Sequence, residues 1–318
     1  MRTYFAPDTL SFPAPHLVEE AAVGFPVIMN IEPTLRCNSD CIMCPRRRST
    51  RPIGDLDLAL YKKIVVEMAA EGGVKVLNFH KDGEPLMHPR LEEMIELAMH
   101  SGACEFSHFN TNAMLMDETR AGRLLDCGIN DITMSIDAVT EKTFARVKRA
   151  GSLAAVERNV EQLLNRRERA GLKTPWVRAK LCAMPETQSE IEAFLTRWEG
   201  VADEVQVQEV HNYAGGNEGA MTDDGERYPC QCWWASMAVN WDGTVSVCAV
   251  DYSGEVLLGD LRKQSIKELF CGDAYGTHRR AMLRGDLSGH ATCRRCTVWK
   301  VGPDQTRWYR QVREIWPT

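Results

Sequence analysis

Cys37, Cys41 and Cys44 stand in one short run, Cys37-Asn-Ser-Asp-Cys41-Ile-Met-Cys44, and cysteines at that spacing can do metal chemistry. Three thiolates spaced CxxxCxxC hold three corners of a four-iron cubane and leave the fourth iron without a protein ligand. An open metal position is what catalysis needs and a structural site lacks. Zinc suits the run less well, because zinc sites mostly gather paired CxxC ligands into closed sets of four and no histidine lies near. A basic stretch follows, Arg46-Arg47-Arg48 with Arg51. It reads either as a solvated loop or as a guanidinium cluster beside a carboxylate or phosphate.

A second group of cysteines, Cys230, Cys232, Cys248, Cys293 and Cys296, crowds the last third of the chain. The turn Trp241-Asp242-Gly243 between the runs 238–240 and 244–247 predicts a hairpin that returns Cys248 towards Cys230. Cys293-Arg-Arg-Cys296 adds a CxxC pair from a later loop. Four thiolates from three places make a closed site, and beside the first run they point to a second iron–sulfur cluster rather than zinc. Its role reads equally as structural or electron-accepting. Cys232 is left over beside Trp233-Trp234, either a packed small hydrophobe or a working thiol. Cys104, Cys127, Cys182 and Cys271 lie in apolar contexts and are expected in the core.

The bulk numbers fit this chemistry. The chain has 318 residues, 44% hydrophobic and 26% charged, which suits one large α/β domain or a large domain plus a small one. A net charge of −6 and a pI near 5.8 argue against a nucleic-acid partner. The chain opens on no signal-peptide pattern, and no apolar run reaches membrane-spanning length. The expectation is therefore the reducing cytoplasm, where clustered cysteines serve metal or redox chemistry rather than disulfides.

The elements that must position these residues can be read from periodicity. Stretches 26–32, 74–80, 105–110, 132–136, 177–183 and 205–210 read as strands. Helices are expected over 56–71, 91–100, 117–127, 140–170 and 189–199, with Asp117 as an N-cap, Gly128 as a stop and Gly151-Ser152 as an interruption. Six β-then-α units imply parallel strands joined by right-handed crossovers, with functional residues at the carboxyl ends of the strands. The cysteine run, Gly83-Glu84-Pro85, Thr111-Asn112, Asp137 and His211 all fall at such ends. After Gly215-Gly216 the composition changes, and 221–228 is polar and loop-like.

The 37–44 run, together with Gly83-Glu84-Pro85, Asn110-Thr111-Asn112 and Ser135-Ile136-Asp137, resembles the radical S-adenosylmethionine enzymes. The resemblance runs from Pro26 to Cys296. It implies an α/β fold, a partial (β/α)6 barrel over 26–215 after an N-terminal extension 1–25. A small C-terminal iron–sulfur domain of twitch or SPASM type, containing a β-hairpin, would occupy 216–318. Cys37, Cys41 and Cys44 would ligate a [4Fe-4S] cluster whose open iron takes S-adenosyl-L-methionine, to be cleaved into methionine and a 5′-deoxyadenosyl radical. Gly83, Glu84 and Pro85 would meet the methionine amino group. Ser135, Asp137 and the strand-end Asn112 would line the cofactor pocket, with Met43 against the adenine. Cys230, Cys248, Cys293 and Cys296 would hold one auxiliary [4Fe-4S] cluster, spaced as in 2-deoxy-scyllo-inosamine dehydrogenase.

That likeness favours dehydrogenation of a small polyhydroxylated molecule, an aminocyclitol or aminoglycoside, with the auxiliary cluster taking an electron. A flavodoxin or ferredoxin would be the electron donor. His211 is the candidate base, with Tyr213, Glu32 and Arg178 as further polar groups at strand ends. Two other enzymatic readings remain: an epimerase in which Cys232 returns the hydrogen, and a maturase of ribosomal peptides. A non-catalytic iron–sulfur scaffold is disfavoured, since it has no need of the cofactor-pocket elements.

Overall fold

The structure, a computed structural model, describes the backbone of residues 2–4 and residues 24–210, 212–215, 229–297 and 299. His211, most of the 1–25 extension, the 221–228 loop and the tail beyond 299 lie outside the described residues. One 10-stranded sheet runs through the molecule in the order β1-β7-β6-β5-β4-β3-β2-β8-β9-β10. Its central strands are β2 (Ile28–Ile31), β3 (Val74–Asn78), β4 (Cys104–Thr111), β5 (Asp131–Ser135), β6 (Trp176–Ala183) and β7 (Glu204–Glu209). Each is parallel to its sequence neighbour. Strands laid down in sequence order by right-handed crossovers put all the connecting helices on one side, which curls the sheet into an open barrel. A short strand β1 (Arg2–Tyr4) pairs in parallel with β7.

The helix layer follows from local sequence. Helix α1 (Leu58–Ala70) buries Tyr61, Ile64, Val65 and Met68, one apolar stripe at helical spacing. Its N-cap Asp57 accepts from the backbone N–H groups of Ala59 and Leu60 at 2.9 and 3.1 Å. Helices α2 (Leu91–Ser101) and α3 (Glu118–Asp126) follow β3 and β4, and Asp117 caps α3 as its sequence predicts. The expected long helix after β5 is broken in two, α4 (Glu141–Lys148) and α5 (Leu153–Arg169). Arg149 ends α4 in the left-handed region, and Ser152 caps α5 through Ala155 N–H. Helix α6 (Ile191–Trp198) precedes β7.

Residues alternate across each strand. Phe79, just beyond β3, turns to the helices and meets the Tyr61 ring at 6.1 Å, and Ile132 and Met134 of β5 are fully buried. The concave face is polar instead. Asn78 Nδ2 donates to Asn30 Oδ1 at 3.0 Å, and His108 Nδ1 lies 2.7 Å from Asp131 Oδ1. Arg178 reaches Asp131, Thr133 and Glu204 at 3.1 to 3.2 Å. Such a face suits a polar ligand better than an apolar one.

The hairpin forms where the Asp-Gly signal places it, as β8 (Ser236–Val239) and β9 (Thr244–Ser246), and β10 (Leu257–Asp260) adds a third antiparallel strand. Its attachment is not written in the local sequence. β8 pairs in parallel with β2, so the C-terminal strands continue the barrel sheet. Helices α7 (Cys232–Ala235), α8 (Ile266–Cys271), α9 (Asp273–Leu283) and α10 (Ala291–Arg295) complete this part. One core expectation fails: Cys271 is exposed at the last position of α8, its thiol 2.9 Å from the Gly24 carbonyl. Cys104 and Cys127 are buried as expected, and Cys182 is half-buried.

Candidate functional site

The loop carrying Cys37, Cys41 and Cys44 leaves β2 and is stitched to the end of α4. Asp40 N–H and Ser39 Oγ donate to the Lys148 carbonyl at 3.2 and 2.8 Å, and Ile42 N–H donates to the Val147 carbonyl at 2.9 Å. Ser39 Oγ also lies 3.1 Å from Cys41 Sγ. Asn38 Oδ1 accepts from Asn112 Nδ2 at 2.8 Å, which joins the loop to the end of β4. Burial pushes the Cys37 thiol up to about 11 and the Cys44 thiol up to about 12. Thiolates in this loop therefore need a metal to stabilise them.

Gly83 is dictated by space. A Cβ there would fall 1.9 Å from the Thr34 carbonyl oxygen, so only glycine lets the loop after β3 lie against the segment leading to Cys37. Glu84 N–H then donates to the Arg36 carbonyl at 2.8 Å. The Glu84 carboxylate is buried and accepts from Thr111 Oγ1 at 2.6 Å, Asn112 N–H at 2.8 Å and Leu86 N–H at 3.2 Å. Burial raises its pKa despite those bonds. Pro85 starts the 3-10 turn Pro85–Met87. Glu84 thus cross-links the ends of β3 and β4 through its side chain.

After β5, Ser135 is half-buried in register with Lys180, and Asp137 sits at φ 61°. That conformation is strained for a non-glycine residue, and its partners hold it. Asp137 Oδ1 accepts from Cys182 N–H at 2.7 Å, and Oδ2 meets Lys148 Nζ at 2.6 Å. Lys148 is 2% exposed. Burial alone would raise the Asp137 carboxyl, but the ammonium of Lys148 outweighs it and holds the pKa below the usual carboxylate range. Lys148 and Cys41 also interact electrostatically. This buried cation between the cysteine loop and Asp137 escapes a sequence reading, which sees only one more charge on an amphipathic helix.

The basic stretch resolves residue by residue. Arg51 pairs both nitrogens with Glu32, at 2.8 and 2.6 Å, and reaches Asp82 at 3.1 Å. Glu32 is fully buried and also accepts from Trp241 N–H at 3.1 Å. Arg51 and Lys81 donate to the carbonyls of Tyr252 and Asp251, beyond Cys248. Arg46 donates to the Ser39 carbonyl, and Arg47 forms an exposed pair with Asp40. Met43 is half-buried on the cysteine loop. Tyr213 interacts electrostatically with Cys44, Cys182, Asp82 and Asp137, and burial holds its hydroxyl well above the usual pKa. Its segment is tied across to α10, since Asn212 Nδ2 donates to the Arg295 carbonyl at 2.6 Å and Arg295 donates to the Ala214 carbonyl at 3.0 Å. Arg178 is not at a carboxyl end as expected: it is the third residue of β6, paired with Asp131 and Glu204 at the amino ends of β5 and β7.

The second cysteine group gathers as well. Cys230, Cys232, Cys248, Cys293 and Cys296 line one cavity with Trp233. Burial first, then Cys293, Cys296 and Cys230, push the Cys248 thiol up, so these four lie together. Among the described residues no three metal-binding side chains converge tightly enough for a single metal ion. An all-thiolate set spread around a cavity fits a polynuclear cluster.

A parallel barrel sheet with a three-cysteine loop at its carboxyl edge, and a second cavity lined by five cysteines, has the makings of a two-site iron–sulfur protein. The chain belongs to the Radical SAM superfamily, whose signature covers residues 31–196, and an iron-sulfur cluster-binding domain, SPASM, covers residues 223–297. Its cofactors are accordingly [4Fe-4S] clusters and S-adenosyl-L-methionine. A GTP 3',8-cyclase of Chlorobaculum tepidum is 25% identical over 136 residues, 43% of this chain and 40% of that protein, so the match spans under half of that relative. The solved structure of BtrN in complex with AdoMet and 2-DOIA superposes with a TM-score of 0.60 at 17% identity, covering 85% of this chain and 92% of that one. Streptococcus suis SuiB bound to precursor peptide SuiA gives a TM-score of 0.66 at 14% identity, over 87% of this chain and 71% of that one. Among the described residues no helix is long and apolar enough to cross a membrane.

Proposed function

We propose that this chain dehydrogenates a secondary alcohol in a small polyhydroxylated molecule of the aminocyclitol or aminoglycoside kind. The observation that carries this reading is the buried cavity holding Cys230, Cys248, Cys293 and Cys296. With Cys232 beside them, the cavity has at least as many thiols as a cubane has corners, so no iron need be left open to substrate and the group held there is suited to receiving an electron. When bound, the open cluster with S-adenosyl-L-methionine supplies hydrogen-atom abstraction, and the closed cluster supplies an electron acceptor.

The chain's own residues then bind and orient. The concave face offers Asn30, Asn78 and His80 as hydrogen-bonding groups for hydroxyl and amino substituents, with His80 edge-on to His108 at 5.2 Å between centroids. Tyr213, neutral at pH 7, serves as a donor rather than a base. Glu32, saturated by Arg51 and Trp241, acts as a structural carboxylate. His211, outside the described residues, remains the candidate for the hydroxyl proton. The overall change removes one hydrogen atom, one proton and one electron, and leaves a ketone.

The test is anaerobic turnover of reconstituted protein with S-adenosyl-L-methionine and an aminocyclitol such as 2-deoxy-scyllo-inosamine. A product lighter by two hydrogens, one per 5′-deoxyadenosine released, is expected. An isomer of unchanged mass carrying solvent deuterium would make the protein an epimerase. Turnover confined to peptides would make it a maturase, as the peptide complex of SuiB invites.

A further inference from the structure

Five thiols line the auxiliary cavity, whereas a cubane has four corners. Cys248 comes from one anchored loop and the Cys293–Cys296 pair from another, at α10, where Cys296 N–H donates to the Cys293 carbonyl at 3.2 Å. The Cys248 loop is pinned by Asp251, which accepts from the backbone N–H groups of Glu255 and Val256 at 2.9 and 3.0 Å and from Thr292 Oγ1 at 3.4 Å. Cys230 and Cys232 arrive together on a third segment, two residues apart at the start of α7. Cys230 precedes the helix, and its carbonyl accepts from Trp233 N–H at 3.2 Å. Cys232 is the first helical residue, 8% exposed, and its carbonyl accepts from Ser236 Oγ at 3.1 Å. The next two residues of the helix, Trp233 and Trp234, are almost fully buried in the main core. Cys232 also packs in a satellite cluster with Cys230, Cys248 and Cys296, and its thiol is hydrogen-bonded to Cys230.

We infer that Cys232 is an interchangeable ligand, able to take the corner of the auxiliary cluster that Cys230 holds. Of the two, Cys232 has the firmer anchor, because it is the first residue of α7, every residue of which is buried. The exchange balances without any redox partner. The iron–sulfur bond to Cys230 breaks, that to Cys232 forms, and the proton on Cys232 passes along the existing thiol–thiol hydrogen bond to Cys230. The inference needs the auxiliary cluster, which the SPASM domain implies, and not the reaction proposed above; a failure of dehydrogenation leaves it standing.

The test counts iron and records the electron paramagnetic resonance of the reduced cluster. All variants carry Cys37→Ala, Cys41→Ala and Cys44→Ala, so that only the auxiliary site contributes. Cys230→Ala is expected to keep about four irons per chain, with shifted g-values, because Cys232 replaces the lost ligand. Cys232→Ala is expected to keep about four irons with the parent spectrum, and the double variant to lose the intact cubane. Cys230→Ser is a second form of the same test, which covers a folding defect in the alanine variant. Loss of the cubane in both Cys230 variants, to the level of the double variant, overturns the inference. So does loss in Cys232→Ala with retention in Cys230→Ala, since Cys232 would then be the fixed ligand.

Discussion

Lys148 belongs to a helix whose other charged residues face water, yet its ammonium is buried against Asp137 at 2.6 Å and its carbonyl receives Ser39 and Asp40 from the cysteine loop. One residue therefore holds the strained Asp137 through its side chain and the cluster loop through its backbone. Removing one partner of a buried pair leaves the other uncompensated, which costs about 3–5 kcal/mol. Lys148→Met should lower unfolding stability by about that amount in denaturant titrations, and Lys148→Met with Asp137→Asn should recover part of it. A single variant as stable as the parent would remove the pair from any supporting role. The cysteine run stood out in the sequence because a spacing is local, whereas the need for glycine at 83 shows only once the fold brings the Thr34 carbonyl against it. Lys148 did not stand out, because its importance comes from a partner eleven residues away that only the fold brings near.

At the scale of elements, the strand and helix pattern was legible because period-two and period-3.6 burial differ sharply on a barrel strand and its covering helix. What local pattern could not specify was how elements meet, and the packing of α9 on α7 is an example. His278 on α9 stacks on Trp233 at 5.2 Å, and His290, just before α10, meets it edge-on at 5.4 Å. The two imidazoles are 3.3 Å apart between ring nitrogens. Burial, together with the facing His278, holds His290 down at about 4, and burial lowers His278 too. A histidine with a lowered folded pKa takes up its proton more readily when unfolded. Stability is then full above the ordinary histidine pKa of about 6.5 and is lost as pH falls from there towards about 4. His290→Gln should flatten that loss, with a melting temperature that falls by several degrees less than the parent's between neutral and mildly acid pH. Parallel curves for parent and variant would show that the pair does not set acid stability.

The whole molecule is organised by a sheet that does not stop at the boundary between its two cluster sites. β2 lies between β3 and β8, and Ile28, Met29 and Ile31 are each fully buried there. Val27 N–H and Glu32 N–H donate to the carbonyls of Ala235 and Val239, and Trp241, Asp251 and Tyr252 complete the Glu32–Arg51–Asp82–Lys81 network. A fragment ending at residue 228 would keep the cysteine loop and all the cofactor-pocket residues. It would also bare an apolar parallel edge next to a charge network that had lost its caps, and an edge of that kind pairs with other chains. Such a fragment should be aggregated on gel filtration and should not hold the first cluster, whereas the full chain should melt in one cooperative transition monitored at both clusters. A monomeric fragment 1–228 that binds about four irons and S-adenosyl-L-methionine would mean that the two sites are separable modules, with the shared sheet only a contact between them.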